Sequence, residues 1–117
     1  PSDEIELEKL NHLKGSKYLQ RGEIKEFYVQ LSYILREYVE NSVYIKILEM
    51  TTEEIKQYRS VIPFDRDQLG IWMDILQRAD LSKYAKSDPE RMICHEDLAT
   101  GETFVKNTVP SWTIQST

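Results

Sequence analysis

A single cysteine, Cys94, stands in 117 residues. No disulfide can close within one chain and no thiolate-rich metal site can assemble, a composition that suits a reducing compartment. Only two histidines, His12 and His95, accompany it. His95 adjoins Cys94, and consecutive helical residues point about 100° apart. They are poor joint ligands for zinc, which asks for three or four convergent donors, and no third group beside them orients a base as a cysteine nucleophile requires. The four glycines, at 15, 22, 70 and 101, are dispersed, so there is no glycine-rich phosphate loop. No apolar run approaches the length of about 18 residues that a membrane span needs, and no leader pattern opens the chain.

Positive charge is also in short supply. Fifteen lysines and arginines face twenty acidic residues, giving a net charge of -5 and a pI near 5.1. Such a surface does not displace the counterions of nucleic acid. A helix-turn-helix reading of the middle of the chain is opposed by Asp65, Asp67 and Asp74, which repel phosphate. Lys14, Lys17, Arg21 and Lys25 are scattered, so no polybasic membrane patch forms. The neighbouring carboxylates Glu49, Glu53 and Glu54 sit where a helix begins and complement its dipole rather than suggest acid–base chemistry. No catalytic, metal-binding or cofactor-binding residue is assigned, and the expectation is a domain that is not an enzyme.

What is present is helical periodicity. Between Glu23 and Asn41, apolar residues fall at Ile24, Phe27, Tyr28, Leu31, Ile34, Leu35, Tyr38 and Val39, a three–four spacing over four turns that predicts a helix with one buried face. Before it, Ser2 and Asp3 can cap a first helix carrying Leu7, Leu10 and Leu13, with Asp3, Glu4 and Glu6 favourable near its positive end. That pattern resumes at Tyr18 and Leu19 after Gly15, and Gly22 reads as a C-terminal cap. Val43 to Met50, apolar and β-branched, could read as a strand but has no obvious partner strand, and is expected to be an extended link across the core. Thr51 with Glu54 offers a capping box for a short third helix ending near Ser60. A fourth runs from Asp65 to about Ala79 with Leu69, Trp72, Met73, Ile75 and Leu76 inward, and Asp80 caps a short turn over Leu81 to Ala85. Ser87, Asp88 and Pro89 announce a last helix whose face uses Met92, Ile93, Leu98, Phe104 and Val105. The expected fold is all-α, a compact bundle of about five helices. Residues 1–108 form one domain and 109–117 an irregular, flexible tail.

Three segments, EFYVQLSYILREYVE (Glu26–Glu40), LEMTTEEI (Leu48–Ile55) and RADLSKYAKSDP (Arg78–Pro89), together resemble the cytoplasmic domain of Bat-type bacterial membrane proteins, named for the Bacteroides aerotolerance operon. The likeness runs from about Leu7 to Thr108. It implies a helical domain at the cytoplasmic face of the inner membrane, attached through a span outside this chain. The opening Pro-Ser-Asp-Glu, without methionine, fits an excised piece. The resemblance further implies a protein-interaction module working with a MoxR-class AAA ATPase and von Willebrand factor A-domain proteins in assembly or stress tolerance, with no catalytic residues. A rival reading is a ligand-sensing or regulatory domain that holds a small molecule in a cleft of the bundle. Arg36 and Asp80 are expected to form an Arg–carboxylate pair across the fold. Trp72 is expected in the core. Tyr33, off the apolar face of its helix, and Trp112, in the tail, are the candidate interface residues.

Overall fold

The computed structural model describes residues 2–84 and 89–108. Five α-helices follow in order: α1 (Ser2–Lys14), α2 (Ile24–Val43), α3 (Thr52–Tyr58), α4 (Arg66–Tyr84) and α5 (Arg91–Asn107). Single 3₁₀ turns lie at Ile47–Glu49 and Arg59–Val61, and there is no strand among the described residues. The all-α bundle is thus the fold.

The long amphipathic helix is its axis. All eight of the apolar residues that mark α2 in the sequence are buried, and α1, α4, α5 and the first 3₁₀ turn pack against it. Fully burying a large apolar side chain is worth roughly 1.5–3 kcal/mol, and Phe27, Tyr28, Leu31 and Leu35 are all closed to solvent. Phe104 of α5 is the hub of an aromatic cluster. It stacks on Trp72 at a centroid distance of 6.2 Å and meets Tyr38 and Phe64 edge-on at 5.8 and 6.0 Å. α5 comes close to α2 because Gly101 faces Leu35: a Cβ there would lie 3.4 Å from both leucine methyls.

Several boundaries differ from the sequence reading. α1 stops at Lys14, and residues 15–22 form turns instead of a resumed helix. Gly22 still ends this segment as expected: at φ +73°, it donates to Leu19 O while Glu23 N donates to Tyr18 O, the paired bonds of a Schellman closure. Val43 to Met50 is a helix end plus a 3₁₀ turn, with Ile47 plugged into the core. Tyr44 takes the left-handed conformation at the end of α2, φ 61°, and is 85% exposed. The Thr51–Glu54 capping box is present in both directions; its backbone hydrogen bond holds the Glu54 carboxyl below its ordinary range.

α4 does not stop at Ala79. Asp80 stays inside the helix, where Lys83 at i+3 answers its charge at 3.6 Å. The proposed face of α5 is also shifted. Its buried row is Cys94, Asp97, Leu98, Gly101, Phe104 and Val105, whereas Met92 and Ile93 face outward. Ser87 and Asp88, and the tail 109–117 with Trp112, lie outside the described residues, and Glu90 occupies the N-cap position of α5.

Candidate functional site

Along one edge of its buried face, α2 carries a row at four-residue spacing: Tyr28, Ser32, Arg36 and Glu40. Residues four apart on a helix lie above one another, so each can reach a different part of the chain. Tyr28 donates to Asp97 Oδ2 of α5 at 2.5 Å. Ser32 accepts from Lys83 Nζ of α4 at 3.5 Å. Arg36 Nη2 donates to Thr52 Oγ1 of α3 at 3.3 Å. Glu40 Oε1 accepts from the backbone N–H of Leu48 at 3.0 Å. This row joins Asp97 of α5, Lys83 of α4, Thr52 of α3 and the backbone at Leu48 to one edge of α2.

Asp97 is the most heavily engaged of the partners of this row. Arg78 of α4 grips it through both nitrogens, Nε at 2.7 Å and Nη2 at 2.8 Å, while Tyr28 donates to the same carboxylate. The fork geometry of guanidinium and carboxylate makes this a strong, directional contact. Burial, and then the adjacent Asp97 carboxylate, hold the Tyr28 phenol protonated well above its usual range. The hydrogen bonds to Asp97 likewise raise Arg78. With its lone pairs committed to Arg78 and Tyr28, Asp97 acts as a clasp between α2, α4 and α5.

The expected pair of Arg36 and Asp80 is therefore not formed. Arg36 turns to Thr52, its Nε buried with no hydrogen-bond partner, and Asp80 faces Lys83. The cross-fold Arg–carboxylate contact exists with other members, Arg78 and Asp97. The sequence signal for this contact is Asp97 itself, an acid in the buried row of α5, which an expected face through Met92 and Ile93 leaves out.

A second buried acid lies between α1 and α2. Glu6 is 0% exposed and neither carboxylate oxygen has a hydrogen-bond partner at ordinary geometry. Its register, i with Leu10 at i+4 and Leu13 at i+7, puts it on the buried stripe of α1. Glu37 of α2 stands near it and is paired with Lys9. Burial first, then the Glu37 carboxylate, pushes the Glu6 carboxyl up to about 7, against a smaller opposing effect of Lys9. Burial also pushes Glu37 up, but its hydrogen bond with Lys9, aided by Glu6 and Tyr33, leaves it below the usual range.

Three surfaces remain. Tyr33, half-exposed as expected from its register, lines a groove of about 440 Å³ between α1 and α2 with Lys9, His12 and Tyr18, over Leu13 and Ile34. A groove of about 790 Å³ lies between α4 and the 3₁₀ turn after α3. Leu81 and Tyr84 (80% exposed) at the end of α4 and Met92 (69%) and Ile93 at the start of α5 present apolar side chains outward. Among the described residues no group of three or more His, Cys, Asp or Glu side chains is placed to hold a metal ion, and no helix is long and apolar enough to cross a membrane. Comparison of the chain with protein-family models, curated proteins and solved structures gave no match.

Proposed function

We propose that this domain is a non-enzymatic protein-interaction module that docks through the exposed apolar side chains at the end of α4 and the start of α5. The observation that carries the reading is the exposure of Leu81, Tyr84, Met92 and Ile93 within two consecutive helix ends. Large exposed apolar and aromatic side chains are enriched where macromolecular partners dock. Leu81 and Tyr84 belong to the third segment of the Bat-type resemblance. Both are exposed, unlike the buried Ala79 and Ser82 beside them, although Lys83 Nζ lies over the Tyr84 ring at 5.5 Å. By that resemblance the partner is a MoxR-class AAA ATPase or a von Willebrand factor A-domain protein. The setting is the cytoplasmic face of a bacterial inner membrane, reached through a segment outside this chain.

Titration calorimetry with each purified partner tests the proposal. The double variant Leu81→Ser/Tyr84→Ser should weaken binding at least tenfold, about 1.4 kcal/mol or more, with its unfolding midpoint unchanged because neither side chain is part of the core. Undiminished binding by the double variant, or no binding by the unaltered domain, sinks it. A ligand-sensing reading is favoured by one observation, the tyrosine-lined groove between α1 and α2, whose volume suits a small molecule. A metabolite that raises the melting temperature of the domain but not of Tyr33→Ala would support that second reading.

A further inference from the structure

The groove between α4 and the turn after α3 differs in charge from the rest of the molecule. One face of α4 forms one wall, with Arg66, Gly70, Asp74 and Gln77 along it; Lys56 and Arg59 stand on the other. Of the charged side chains lining it, three are cationic and one, Asp74, is acidic, in a chain where acids outnumber bases twenty to fifteen. Asp65 and Asp67 flank Arg66 in sequence but do not line the groove. None of the three cations takes part in an ion pair among the described residues. Below the rim, Leu69 and Met73 supply an apolar floor.

Gly70 is the second observation. It sits within a nineteen-residue helix, where glycine costs about 1 kcal/mol relative to alanine. Packing does not require it: a Cβ at this position would meet nothing within 4 Å. Its conformation is helical, so no left-handed turn requires it either. What the missing side chain leaves is open space in the middle of the groove, where a bound chain can approach the α4 backbone.

We propose that this groove binds a carboxylate-bearing peptide segment of a partner protein. Its acidic side chains sit against Lys56, Arg59 and Arg66, and an apolar side chain passes over Gly70 onto Leu69 and Met73. Lys56 and Arg59 on one wall and Arg66 on the other supply the charge complementarity that orients such a segment, and the floor supplies one anchor. The site is separate from the exposed side chains at the end of α4 and the start of α5, and its test is independent of that reading.

Fluorescence anisotropy with a fluorescein-labelled peptide alternating glutamate and leucine provides the test. It should bind at least tenfold more tightly than the lysine–leucine and glutamate–serine counterparts, and raised salt should weaken it. Arg59→Glu/Arg66→Glu should lose at least tenfold in affinity. Gly70→Leu is the decisive variant, because leucine is a better helix former than glycine yet fills the groove. It should melt no lower than the unaltered domain and lose binding at least tenfold. Equal binding of the lysine–leucine peptide, or full binding by Gly70→Leu, overturns the proposal.

Discussion

At the scale of single residues, the fold depends on polar groups that lie where apolar ones would be expected. Asp97 occupies the core-facing row of α5 and is tolerated because Arg78 and Tyr28 satisfy it. Asp97→Ala would leave the Tyr28 hydroxyl buried without its acceptor and strip Arg78 of its counter-charge. Removing one partner of a fully buried ion pair costs about 3–5 kcal/mol. Arg78 is partly exposed, 37% at the side chain, so water relieves some of that cost. The expected loss is about 2–3 kcal/mol. Tyr28→Phe removes one hydrogen bond to a charged acceptor and should cost about 1.5 kcal/mol. Urea unfolding of both variants checks the order: a Tyr28→Phe loss equal to that of Asp97→Ala would mean that the Arg78 contact contributes nothing.

At the scale of elements, the junction of α1 and α2 should respond to pH through Glu6. In the unfolded chain its carboxyl titrates near 4.5, and in the fold near 7. The folded state therefore holds the proton more tightly, and the associated stability is complete below about pH 4.5. It drains as pH rises and is gone once pH has passed about 7. Glu37 runs the opposite way: its lowered value stabilises the fold above the ordinary carboxylate range and is lost only in acid. The two windows are distinct. Between about pH 5 and about pH 8 the domain should lose on the order of 2 kcal/mol. Glu6→Gln, which keeps the shape without the charge, should flatten this decline and be the more stable protein at the alkaline end. Urea midpoints measured across the range provide the comparison, and parallel slopes for both proteins would count against Glu6 as the source. The helices themselves were readable from the sequence wherever apolar spacing was regular: α2 and the inward face of α4 stand as the pattern predicts. Glu6 and Asp97 were not, because an acid within an apolar row is indistinguishable from a boundary of that row until its partner, distant in sequence, is in place. Asp80 departs from expectation for the converse reason: aspartate favours helix caps, yet Lys83 one turn on answers its charge inside α4.

At the scale of the whole molecule, α2 gives every larger element a share in one core. α1, α4 and α5 each pack on it, and α3 is joined to it through Arg36 and Thr52 and to α4 by direct packing. The aromatic cluster around Phe104 draws together α2, α4, α5 and Phe64 of the link before α4. Among the described residues one hydrophobic core is formed, so the domain should unfold in a single cooperative step, as small single-core domains do. Trp72 is a suitable reporter of that core, being fully buried and stacked on Phe104. The chain's other tryptophan lies in the tail, so Trp112→Phe would leave fluorescence reporting the α4–α5 contact alone. At about pH 5, where Glu6 is protonated, the urea transition of Trp72 fluorescence should coincide with that of helical circular dichroism. Toward about pH 8.5 the ionised Glu6 weakens the hold of α1 on α2 without touching the surroundings of Trp72. Loss of helix signal should then begin before the change in fluorescence, by an amount that Glu6→Gln abolishes. Separate transitions already present in acid would show that α1, α4 and α5 do not share the core that α2 provides.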